Sequence, residues 1–161
     1  MKAVYKQYLT KAKSQKKELD EKLKRIKKAN NQKAIDQRLV DLIDEAFGKI
    51  DCLSCANCCA TTSPIFTKQD ISRISQLFNV KEKEYIAEVL EEDENGVYGL
   101  QCSPCQYLQN DQKCFIYDKR PKACKGFPHI GEYPIKQILK ETKRNISICP
   151  AVAYVFLKFE I

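Results

Sequence analysis

Cys52-Leu53-Ser54-Cys55-Ala56-Asn57-Cys58-Cys59 places four thiols in eight residues. A two-residue spacer lets two thiolates reach one metal ion from a single tight turn. The adjacent side chains of Cys58 and Cys59 are expected to point apart, which suggests two neighbouring sites or one multinuclear site. Five cysteines follow singly: Cys102, Cys105, Cys114, Cys124 and Cys149. Eight or nine thiols are thus at hand to fill two tetrahedral sites. Soft thiolates exclude calcium and magnesium as the main ligands. Zinc accepts four thiolates in a closed site, and iron–sulfur clusters also take four cysteines, so the spacing leaves zinc and iron both open.

Outward from this motif, charge and cysteine part company. The 161 residues carry a formal net charge of +7, and no cysteine precedes Cys52. Residues 1–50 hold 14 basic and 7 acidic side chains, whereas residues 51–161 hold 14 of each. The sequence therefore reads as a basic helical arm, residues 1–33, followed by a cysteine-cluster metal-binding domain, residues 34–161. No apolar run approaches the ~20 residues of a membrane helix. Met1-Lys2-Ala3-Val4-Tyr5-Lys6 leads into Lys and Glu rather than an apolar core, so a cytoplasmic location and reduced thiols are expected. Disulfides are the competing reading of the cysteines, but an odd count of nine cannot pair completely within one chain.

The arm has a heptad seam, Tyr5, Leu9, Ala12, Lys16, Leu19, Leu23 and Ile26, interrupted only by Lys16. It predicts one long helix over 2–29, with a break or hairpin at Asn30-Asn31-Gln32. A second helix over 34–49 carries Ile35, Leu39, Leu42, Ile43, Ala46, Phe47 and Ile50, with Gly48 as its C-cap. Thr67-Lys68-Gln69-Asp70 signals a helix start, and helices are expected over 82–91 and 150–159. Val97–Leu100 and Cys114–Tyr117 are expected to pair as short strands. The fold class is mainly α: a small, irregular, metal-stabilised domain with short β pairing and an N-terminal long helix or helical hairpin.

The later cysteines arrive in a recognisable order. Cys105-Gln106-Tyr107-Leu108 is similar to C-P-F-L, Cys114-Phe115-Ile116-Tyr117 to C-x-I-Y, and Arg120-Pro121-Lys122-Ala123-Cys124-Lys125-Gly126-Phe127-Pro128 to R-P-x-x-C-R-x-F-P, with Cys149-Pro150 as a terminal C-P. Together with Cys52–Cys59 the set resembles the CxxCxxCC family of zinc- or iron-chelating domains, the YkgJ-type cysteine-cluster proteins, over about residues 35–155. The resemblance implies zinc or iron, with an iron–sulfur cluster among the options. It implies the ligands Cys52, Cys55, Cys58, Cys59, Cys105, Cys114, Cys124 and Cys149. Gln106 and Lys125 depart from the pattern, and Cys102 is a thiol beyond the family's eight. A structural role is expected for Arg120, and Tyr107, Phe115, Tyr117 and Phe127 are expected to form core beneath the metal site.

Three functional readings follow. The first is a metal-binding protein of zinc or iron. The second is an iron-dependent redox or protein-modification enzyme. The third is a metal-stabilised interaction module whose arm contacts a protein, a second copy of itself, or nucleic acid. Residues 1–33 carry 12 basic and 3 acidic side chains but no interleaved aromatic pattern, which argues against nucleic acid. The single histidine, His129, rules out a two-histidine zinc site.

Overall fold

The apolar seam of the arm does wind into helix, with a bend at Gln15 in addition to the expected break near residue 30, where Ala29 is extended and a new helix begins at Gln32. In the computed structural model, which describes residues 1–161, the elements in chain order are α1 (Ala3–Ser14), α2 (Lys16–Lys28), α3 (Gln32–Lys49), α4 (Cys52–Cys55), α5 (Asn57–Thr61), β1 (Ile65–Phe66), α6 (Lys68–Leu77), α7 (Glu82–Val89), β2 (Leu90–Glu92), β3 (Tyr98–Leu100), α8 (Lys122–Gly126), α9 (Leu139–Ile148) and α10 (Pro150–Lys158). Short 3-10 turns occupy Tyr117–Lys119 and Ile135–Gln137. The fold is mainly α, as the sequence indicated. The chain condenses into two units, residues 1–57 with 128–161, and residues 58–127.

In the first unit, α1 packs on α9 and α10, α2 packs on α9, and α3 packs on α10. Across Gln15 the backbone bonds from Gln15 N–H to Lys11 O and from Leu19 N–H to Gln15 O persist, so the bend is a kink. It falls beside Lys16, the one seam position without an apolar side chain to hold the turn. Tyr5, Ala12, Leu19, Leu23 and Ile26 of the seam are buried, as are Ile35, Leu39, Leu42, Ile43 and Ala46 of α3. Phe47, expected on that stripe, is exposed. Gly48 lies inside α3; the helix ends instead at Ile50 in an extended conformation. Val152, Val155 and Phe156 of α10 are fully buried. Lys22 is buried too, and its Nζ donates to Phe156 O at 2.9 Å. A cation there faces the carbonyls at the C-terminal end of α10, where the helix dipole favours positive charge.

The second unit has a small core of Phe66, Ile71, Ile74, Tyr85, Leu90, Leu100, Tyr107 and Ile116, with Cys105 and Cys114 packed against it. The Tyr85 and Tyr107 hydroxyls hydrogen-bond at 2.6 Å within it. The three strands form an antiparallel sheet in the order β1-β3-β2. The expected pairing of 97–100 with 114–117 does not occur: Cys114 makes a single bridge to Leu108, and Tyr117 enters a 3-10 turn. Two short segments absent from the sequence expectation, Ile65–Phe66 and Leu90–Glu92, flank β3 instead. The Thr67 start signal is a full capping box: Thr67 Oγ1 accepts from Asp70 N–H at 3.1 Å, and the Asp70 carboxylate accepts from Thr67 N–H at 3.0 Å.

Candidate metal centre

Of the nine cysteines, Cys52 and Cys102 are exposed, Cys55 and Cys149 are buried, and the other five are half-buried. The C-x2-C-x2-C-C motif divides between the two units: Cys52 and Cys55 belong to the first, Cys58 and Cys59 to the second. In the first unit, α4 is a single turn whose ends are fixed by local chemistry. Asp51 caps it, accepting from Leu53 N–H at 3.0 Å, while Asp51 N–H donates to the Tyr5 hydroxyl at 3.0 Å. Ala56 ends the turn in the left-handed region at φ 49°. Cys55 is buried at one end of this turn and Cys52 is exposed at the other. Cys149, also buried, occupies the N-cap of α10 with Pro150 as the first helical residue. Burial pushes the Cys149 thiol up to about 11; the N–H groups of Val152 and Ala151 oppose this, and the charges of Cys55 and Cys52 add to it. The three thiols of this unit therefore feel one another.

The second unit gathers Cys59, Cys105, Cys114 and Cys124. Cys105 N–H donates to Cys59 O at 2.9 Å, tying the third motif cysteine pair to the later segment. Burial raises the Cys105 thiol, and the charges of Cys59, Cys114 and Cys102 raise it further. Burial pushes Cys124 up to about 12, reinforced by Cys59, Cys105 and Cys114 and opposed by Arg120. Burial likewise raises Cys114, with Cys59 adding to the effect and Arg120 again opposing it. A hydrogen bond from Cys58, with the two Sγ atoms 4.0 Å apart, holds the Cys59 thiol below its ordinary value despite burial. Cys58 and Cys59 thus lie closer together than the divergence expected of neighbours.

Two side chains position Cys124. The buried Asp70 carboxylate accepts from Arg73 Nη2 at 2.7 Å and from Lys122 N–H at 3.1 Å, holding the start of α8 to the start of α6. Arg120 lies over the Tyr117 ring at 3.8 Å and donates to Tyr117 O at 2.6 Å, an ordered cation next to thiols. That is the structural role expected for it. Cys102 is exposed, with its Sγ 3.9 Å from Gln106 Oε1. His129 engages Glu132 at 2.9 Å. Of the four aromatics expected as core, Tyr107 is buried, but Phe115 is 64% exposed and Tyr117 is 37% exposed.

Mutual repulsion of buried thiolates is what a bound cation reverses, because a coordinating metal stabilises the deprotonated form. The donor set is all sulfur, so its chemistry fits a soft or borderline metal. No three His, Cys, Asp or Glu side chains stand in a closed coordination geometry, however. Sequence reasoning missed Asp70 as the residue that ties the Cys124 segment down; its T-x-x-D signal marked only the cap.

The family model for CxxCxxCC, described as "putative zinc- or iron-chelating domain", matches residues 51–150, more than half of the chain. No curated protein and no solved structure matches it.

Proposed function

The chain belongs to the CxxCxxCC family, and from that premise we propose that it binds zinc or iron through Cys52, Cys55, Cys58, Cys59, Cys105, Cys114, Cys124 and Cys149. Cys59, Cys105, Cys114 and Cys124 are read as one four-thiolate set and Cys52, Cys55 and Cys149 as ligands of a second, with Cys58 assigned to neither set. The observation that carries this reading is the family match over residues 51–150, beside which Cys105 N–H donates to Cys59 O and Cys105 and Cys114 pack against one small core. A closed sulfur site is the arrangement of structural metal rather than of a metal with an open position for substrate. The second unit's small core would gain most from it. Iron in a sulfide-bridged cluster uses the same ligands and adds redox capacity.

Elemental analysis and a visible spectrum of anaerobically purified protein test the proposal. Zinc with no visible absorption supports structural thiolate sites. Brown protein containing iron and labile sulfide supports a cluster. Protein that is fully folded and metal-free at neutral pH under reducing conditions overturns the proposal.

A further inference from the structure

Two aromatic side chains left outside the core of the second unit, Phe78 and Phe115, stack with the core residue Tyr107 at its edge. Phe78, at the end of α6, lies between Tyr107 and Phe115, with ring centroids 5.8 Å and 6.2 Å away and interplanar angles of 17° and 25°. These rings form one wall of an open groove of about 720 Å³. The stack ends at Phe115, which is 64% exposed, while Leu77 and Val80 beside Phe78 are exposed as well. The rest of the lining is Leu108 with four polar side chains, Gln106, Gln109, Asn110 and Asp111. Its lining holds one carboxylate and no cationic side chain.

A ligand matched to this lining has a flat face for the rings, polar groups at its edge for the amides, and a positive charge for Asp111. A guanidinium meets all three demands. It stacks on aromatic rings, presents five donors in a plane, and pairs with a carboxylate through two parallel hydrogen bonds. The chain already uses the stacking mode internally, where Arg120 lies over Tyr117. A nucleobase would stack as well, and guanine can donate its N1–H and N2–H to a carboxylate, but as a neutral ring it brings no positive charge to Asp111. Asp111 contacts Lys113 Nζ at 3.3 Å, with both side chains more than half exposed, and such a pair is weak enough to be exchanged for a better cation. The groove volume lies within the range that holds a ligand of several functional groups. That exceeds one side chain, so the fit is to a segment of polypeptide rather than to a free amino acid. The second unit carries 9 basic and 10 acidic side chains, so its overall charge does not repel a basic segment.

We infer that the Phe78–Tyr107–Phe115 groove is a docking site for an arginine-bearing segment of a partner protein, with the guanidinium stacked on the exposed rings and paired with Asp111. No cysteine lines the groove, although Tyr107 and Phe115 each lie within two residues of one.

The test uses the full chain as purified and a fluorescent hexapeptide, Gly-Gly-Arg-Leu-Gly-Gly, with anisotropy as the readout. Matched peptides carry citrulline, which keeps the shape and loses the charge, or lysine, which keeps the charge and loses the plane. The arginine peptide should bind about tenfold more tightly than either. Phe115→Ala and Asp111→Asn should each weaken it about five- to tenfold, with metal content and circular dichroism unchanged. Asn at 111 can still accept from Lys113 N–H, the bond that orders the turn. Equal binding of the arginine and citrulline peptides, or wild-type binding by both variants, would overturn the inference. So would tighter binding of guanosine than of the arginine peptide, or a wild-type dimer in sedimentation that Phe115→Ala dissolves, since each assigns the groove another occupant.

Discussion

Asp70 is the side chain on which the placement of Cys124 depends. Its carboxylate, 1% exposed, is shared among the Thr67 cap, Arg73 and the backbone of Lys122. Burial alone would raise its pKa, but the hydrogen bonds from Thr67, Arg73 and Lys122 outweigh burial and lower it, so the charge is part of the fold. Asp70→Asn keeps the shape and removes the charge. It should cost about 2 kcal/mol in urea denaturation, because Arg73 remains partly solvated while the Lys122 N–H loses its ionic acceptor. Lys22 gives a second expectation. Lys22→Glu would set a buried carboxylate against Phe156 O at the negative end of α10, and should destabilise by about 3–5 kcal/mol. Lys28→Glu, on the exposed surface at the last turn of the same helix, should cost no more than about 1 kcal/mol. The two lysines are alike in sequence: one run of Lys and Arg surrounds both, and only the packing of α2 on α9 and α10 singles out Lys22. By contrast, Thr67 was legible because a cap is a local interaction between residues three apart.

Among the elements, the segment 120–126 joins the fold to the candidate site. Arg120 is stacked, hydrogen-bonded and electrostatically coupled to Cys114 and Cys124. Arg120→Ala should reduce metal affinity about tenfold in competition with a chelator, the usual effect of losing a supporting partner behind the ligands. Lys119→Ala, whose side chain has no such position, should leave it unchanged. Elements with a strong apolar period were readable in advance: α1, α2, α3 and α10 all carry one. Helix α9 was not, because its buried face includes Thr142 and Asn145 as well as Ile146, and polar residues hide the period. The sheet was misjudged because β1 is only two residues long and β2 follows directly on α7; neither is long enough to show alternation. The cysteine motif itself was legible from spacing. What spacing could not show is that Cys59 joins the later cysteines of residues 58–127, since that grouping arises from the fold of the second unit.

For the whole molecule, the two units should respond differently to metal removal. The first has a core spread over α1, α2, α3, α9 and α10, while the second rests on eight buried residues and its cysteines. After treatment with a chelator under reducing conditions, hydrogen exchange should accelerate across residues 58–127 by at least tenfold. The central turns of α3 and α10 should retain most of their protection. Uniform loss of protection along the chain would show instead that metal holds both cores equally.

The division of the first unit into residues 1–57 and 128–161 also has a temporal meaning. Lys22 and its acceptor on Phe156 are separated by 134 positions, and Tyr154 meets Glu45 across 109. Contacts of that separation are closed late and slowly, because a long loop must be ordered before they form. On the ribosome, residues 58–127 emerge whole while α1 to α3 still wait for α9 and α10. The inserted segment is therefore able to collapse first, and the helices synthesised before it finish folding only after α10 has been made.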